Sequence, residues 1–86
     1  MSKQTFTYTV VYEHDPETGF ICASVPALDL GTHGRTMEEA QAMAKEALEL
    51  HLEGMLEENM SIPPDVIKIE QITVDVTASS PSEASA

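Results

Sequence analysis

The chain has 86 residues, which is enough for one domain and too few for two. Hydrophobic residues make up 42% of it, as in ordinary globular proteins, which argues against disorder throughout. Fifteen acidic residues against four basic ones give a net charge of −11. Because such a charge repels phosphate groups, we expect no direct binding to nucleic acid or to an anionic membrane surface.

Cys22 is the single cysteine, so the chain has no internal disulfide and no thiolate-rich metal site. The N-terminal residues contain no apolar signal core, and no stretch approaches the roughly 20 apolar residues of a membrane span. We therefore expect a soluble cytoplasmic protein.

Two strand patterns come first in the chain. Residues 5–12 (TFTYTVVY) are rich in β-branched and aromatic residues and alternate with period two, which predicts a strand with one packed face. Residues 14–19 (HDPETG) combine an Asp-Pro turn start with a glycine that can adopt a positive φ. They predict a tight link to an antiparallel strand over residues 20–25 (FICASV). Residues 28–30 (LDL) could form a brief third strand.

A long amphipathic helix is predicted from Met37 to about Glu58. Thr36 and Glu39 have the spacing of a capping box, in which each side chain bonds to the other residue's backbone N–H. At roughly 100° per residue, one stripe of small and apolar residues would lie on the sheet. The stripe consists of Met37, Ala40, Ala44, Ala47, Leu48, His51 and Met55. The opposite face carries Glu46, Glu49, Glu53 and Glu57.

Residues 66–76 (VIKIEQITVDV) predict a long final strand, with a β-bulge or bend near Glu70 where the alternation changes phase. The small polar residues 78–86 predict a disordered tail. The predicted architecture is therefore a single α+β domain over residues 1–77 of order βββαβ. It consists of a mainly antiparallel sheet with one amphipathic helix on one face.

This order of elements, with these residues, resembles the N-terminal domain of HicB-type antitoxins and their short stand-alone relatives. The resemblance is carried by YTVVYEHDPETGFICASVPAL, by GRTMEEAQAMAKEALELHLEGMLEE and by the IPP that follows, together about residues 8–64. It implies a reduced RNase H-like βββαβ fold. It also implies a binding activity, in which such a domain covers and neutralises a small HicA-type toxin that cleaves mRNA.

The sequence departs from the family pattern in two places. Family members often have Leu-Pro-Gly-Cys where this chain has Leu28-Asp29-Leu30-Gly31 and is one residue shorter, so the third strand and its loop stay open. Full antitoxins usually continue into a helix-turn-helix or ribbon-helix-helix module that binds operator DNA, whereas only the short polar tail follows here. The autoregulatory role of the family is therefore not carried over.

The histidines and the cysteine do not form a recognisable site in the sequence. His14, His33 and His51 fall on a turn, a loop and the apolar helix stripe, without the spacing of metal ligands. We expect His51 to pack beneath the helix and Cys22 to be a small buried strand residue. A Cys–His dyad with His14 or His33 stays open, although nothing supplies an orienting third group. We expect no metal, no cofactor and no catalytic residue.

An RNase H-like fold also raises the hypothesis of a divergent nuclease. Two-metal chemistry needs several carboxylates that converge on ions about 4 Å apart. The first predicted strand carries no carboxylate before Glu13, and the helix carboxylates face away from the sheet. We therefore expect a protein that is not an enzyme.

The predicted function is that of an antitoxin-type binding module, which neutralises a small basic HicA-type toxin by protein–protein contact. The four helix glutamates are candidate contact residues because they could complement a basic RNA-binding surface, although a solvated helix face explains them more simply. The alternative function is a stand-alone homo-oligomeric protein without a toxin, in which sheet edges or helices pair between copies.

Overall fold

The computed structural model describes residues 3–77, which form a small sheet and one long helix. The elements are β1 (Val11–His14), β2 (Ile21–Val25), a short 3-10 helix (Pro26–Leu28), β3 (Leu30–Gly34) and α1 (Met37–Glu57). The α+β class is confirmed. The third strand, which the sequence left open, forms over Leu30–Gly34 instead of residues 28–30.

The three strands form one antiparallel sheet in the order β1-β2-β3. The turn between β1 and β2 closes where the Gly19 N–H donates to the Asp15 carbonyl oxygen at 2.8 Å. Gly19 has a φ of +80°, a conformation that costs glycine little because it has no Cβ. The predicted hairpin is therefore confirmed, with its link over residues 15–20 instead of 14–19.

The core lies between one face of the sheet and the first half of α1, which packs mainly over β3 and β2. It consists of small side chains: Ala23 and Val25 from β2 meet Ala40 and Ala44 from α1, and each is at most 3% exposed. Gly34 allows the two backbones to come close, since a Cβ there would lie 2.5 Å from the Ala40 nitrogen. The start of α1 therefore packs with its backbone close to that of β3.

The start of α1 follows the predicted cap, with one correction. The Glu39 N–H donates to Thr36 Oγ1 at 3.1 Å, as predicted. The Glu39 carboxylate, however, accepts from the Arg35 N–H at 2.8 Å, instead of from Thr36. Both bonds involve backbone donors at the start of the helix, where the positive end of the helix dipole also favours a carboxylate.

The predicted apolar stripe of α1 is buried only near the start of the helix. Ala40 and Ala44 are buried, whereas Ala47, Leu48, His51 and Met55 are half-buried and Met37 is exposed. The short three-stranded sheet covers the first turns of the helix and leaves its second half more open.

The prediction of a buried Cys22 is wrong, because Cys22 is exposed. Successive side chains of a strand point to opposite faces of the sheet, and Ala23 takes the face that α1 covers. Cys22 therefore lies on the face that points away from the helix.

Two predicted strands are shortened or absent among the described residues. Residues 3–10 lie outside any strand, so β1 begins at Val11 instead of at residue 5. Residues 61–77 enter neither helix nor strand, so the described order is βββα and the predicted strand over residues 66–76 does not form. A strand needs a hydrogen-bonded neighbour as well as a side-chain pattern. The predicted tail, residues 78–86, lies outside the described residues.

We expect Gly34→Ala to lower the free energy of unfolding by about 1–3 kcal/mol, because the new Cβ would collide with the backbone of α1. Gly54→Ala is the control: no heavy atom outside its own helical turns lies within 4 Å of a Cβ there. That change should raise the stability by about 0.5–1 kcal/mol, since alanine favours helix. Urea unfolding measures both variants. Equal effects would contradict the close approach at Gly34.

Candidate partner-binding surface

An open groove of about 770 Å³ lies between residues 3–8 and the second half of α1. Its apolar lining includes Phe6, Tyr8, Leu48, Leu52 and Leu56. Phe6 and Leu56 are 37% and 38% exposed, and the other three are half-buried. Apolar surface of this kind, open to water, is typical of a place where another chain or an apolar group binds.

The sequence analysis missed this groove, although α1 carries a signal for it. Leu48, Leu52 and Leu56 recur every four residues and so form a second apolar row on the helix. The predicted stripe followed Ala40 and Ala44 and included Leu48 alone of the three. The other wall of the groove, residues 3–8, is brought there by the tertiary fold, and the strand pattern over residues 5–12 does not show that they lie beside α1.

Three of the four predicted contact glutamates border the groove. The charged residues along it are Lys3, Lys45, Glu46, Glu49 and Glu53. Glu57 lies one turn beyond Glu53 on α1 and outside the groove. All four glutamates are exposed. An apolar centre with a charged rim is the usual anatomy of a protein–protein interface. A role of these glutamates in partner contact stays a prediction.

Hydrogen bonds connect the residues that follow α1 to the residues that precede β1. The Tyr8 hydroxyl donates to the Pro63 carbonyl oxygen. The Thr9 N–H and the Thr9 hydroxyl both donate to Asp65 Oδ2, at 3.0 and 2.7 Å. The second carboxylate oxygen, Asp65 Oδ1, is buried without a hydrogen-bond partner among the described residues. This anchor determines where residues 66–77 leave the body of the protein.

The histidines lie apart from the groove lining. His14 ends β1 and His33 lies within β3, so both are in strands and not in the predicted turn and loop. His51 is half-buried on α1. Cys22 and His33 are cross-strand neighbours, but the His33 ring packs edge-on against Phe20, with ring centroids 5.2 Å apart.

No group of three or more His, Cys, Asp or Glu side chains within residues 3–77 is placed to hold a metal ion. The same described stretch contains no helix that is long and apolar enough to cross a membrane.

Comparison with known proteins identifies the class. Residues 8–79 match the family model described as "HicB_like antitoxin of bacterial toxin-antitoxin system". Since the match covers most of the 86 residues, the chain belongs to this family of HicB-like antitoxins. The resemblance noted in the sequence is thereby confirmed. The match also includes residues 66–77, which therefore belong to the family domain.

Two relatives of similar extent support the assignment. The chain is 40% identical over 68 residues to the UPF0150 protein Ta0767 of Thermoplasma acidophilum, a match that covers 78% of this chain and 94% of the relative. It is 26% identical over 72 residues to the UPF0150 protein ssr1765 of Synechocystis sp., with 84% and 91% covered. No solved structure matches the chain.

We expect Asp65→Ala to lower the free energy of unfolding by about 1–3 kcal/mol, because it leaves both Thr9 donors without their acceptor. Amide hydrogen exchange at Thr9 should accelerate in the same variant. Asp75→Ala is the control, since Asp75 is exposed and lies in the same part of the chain, outside helix and strand. If both variants unfold at the same urea concentration as the wild type, the anchor does not stabilise the protein.

Proposed function

We propose that this chain is a cytoplasmic antitoxin, which neutralises a small basic HicA-type toxin by direct protein contact. The observation that carries the proposal is the family match over residues 8–79. The second half of α1 supports it, because Glu46, Glu49, Glu53 and Glu57, which we call the acidic row, are all exposed on one face of the helix.

The charge of α1 suits a basic partner. The helix contains six glutamates and one lysine, and Glu46, Glu49, Glu53 and Glu57 are exposed on its second half. A nuclease that holds RNA needs cationic groups against the phosphates, so its substrate surface is basic. Opposite charges on two proteins speed their encounter and disfavour wrong partners. The acidic row would therefore occupy the place of the RNA phosphates on the toxin.

Neutralisation in this form requires no chemistry from the antitoxin. A complex that covers the toxin excludes RNA by volume and by charge. Apolar contacts and sheet-edge pairing then hold the complex together, while the glutamates favour the correct partner. The proposal accordingly assigns no catalytic residue, metal or cofactor to this chain.

The test is co-expression of this chain with the product of the adjacent small reading frame, followed by co-purification. We expect a small basic ribonuclease that binds this chain and whose growth arrest this chain relieves. The proposal fails if that product is not a basic RNA-binding chain or does not co-purify.

We expect Glu53→Lys to weaken the complex by about tenfold, because it places a cation against a basic surface. Glu17→Lys makes the same charge change in the exposed β1–β2 turn and should have little effect. Titration calorimetry at two salt concentrations measures both, and higher salt should weaken the wild-type complex. If both variants lost the same affinity for the toxin, the net charge of the protein would explain the loss, and direct contact with the acidic row would not.

A further inference from the structure

Residues 66–77, which we call the arm, leave the body of the protein beyond the Asp65 anchor and enter neither helix nor strand. Five of their six large apolar side chains, Val66, Ile69, Ile72, Val74 and Val76, are between 67% and 83% exposed. The sixth, Ile67, is half-buried. Proteins in water rarely leave contiguous apolar surface of this kind uncovered unless another molecule covers it.

The end of the arm has the pattern of a strand with two different faces. Ile72, Val74 and Val76 point to one side of an extended chain, and Thr73 and Asp75 point to the other. A segment of this kind binds by adding a strand to a sheet edge. Its backbone supplies hydrogen bonds, and its alternate side chains enter apolar surface.

The groove offers the matching surface. Residues 5–12 carry a strand pattern, yet residues 3–10 are unpaired among the described residues. Beside residues 3–8 lies the apolar lining that includes Phe6, Leu52 and Leu56. A strand laid along residues 3–8 would bond to their backbone and place its apolar row in the groove. The two strand patterns that the single chain leaves unpaired would then pair with each other.

The exposed apolar side chains of the arm offer surface for an interface. Val66, Ile69, Ile72, Val74 and Val76 are each at least 67% exposed, so most of their surface is free to be buried against a partner. A stable protein–protein interface buries roughly 1,200–2,000 Å² in total over both partners. Reciprocal exchange buries two arms and two grooves at once.

We propose that two copies of this chain exchange arms, so that the arm of each copy lies in the groove of the other as a strand added along residues 3–8. A second copy is the occupant because arm and groove belong to the same chain and are present together in every copy. Reciprocal exchange is a closed two-fold arrangement, which fills both grooves and leaves no arm free.

The charge of the chain gives this exchange a distinctive salt dependence. Two copies of charge −11 repel each other as they associate. Salt screens that repulsion, so the dimer becomes tighter as ionic strength rises. Contact between the acidic row and a basic toxin has the opposite dependence, and the two proposals therefore fail independently.

The experiment uses the full chain and compares two variants of the arm. Sedimentation velocity over about 1–100 μM should show a wild-type dimer. Val74→Asp places a charge on the apolar side of the arm and should weaken the dimer by about tenfold or more. Thr73→Asp adds the same charge to the polar side and should leave dimerisation within about twofold of the wild type. A monomeric wild type, or equal effects of the two changes, would overturn the proposal.

A second pair of variants tests the groove. Leu56 and Met43 are 38% and 40% exposed on α1, but Leu56 lines the groove and Met43 does not. Leu56→Asp should dissociate the dimer and Met43→Asp should not, while circular dichroism reports whether each variant is folded. A dimer that survives Leu56→Asp and Val74→Asp would be held by another surface, and the arm exchange would then be wrong.

Discussion

The close approach of α1 to β3 at Gly34 and Ala40 determines how the rest of the protein is arranged. Because Gly34 has no side chain, the two backbones come almost into contact, and alanines and one valine suffice to fill the core between them. The helix has 21 residues and the sheet is short, so the second half of the helix is left to form one wall of a groove with residues 3–8. The position of the groove thus follows from how the core is packed.

Features set by neighbouring residues could be predicted from the sequence, whereas those set by distant residues could not. The hairpin at Gly19, the cap at Thr36 and the length of α1 depend on signals within a few residues, and the structure contains all three. Strand formation over residues 5–10 and 66–76 depends on a partner elsewhere, and alternation does not reveal whether the folded chain provides one. Cys22 was misplaced because the sequence did not show which face of β2 the helix would cover.

The candidate site likewise has one part that could be predicted from the sequence and one part that could not. The glutamate row could be found from helical periodicity, and three of its members border the groove. Phe6 and Leu52 both line the groove although more than forty positions separate them in the sequence, so the groove exists only in the folded chain. The chain belongs to the HicB-like antitoxin family, and the exposed apolar areas are therefore the places to test for partner binding.

The arm also affects how readily proteases cleave the protein. Proteases need several residues of unpaired, extended backbone to fit their active sites, and folded helices and paired strands resist them. A segment shielded by another chain is out of reach, while the same segment left bare is open to cleavage. Under the proposed arm exchange, turnover would depend on concentration, because proteases would cleave the dilute, monomeric protein faster than the dimer.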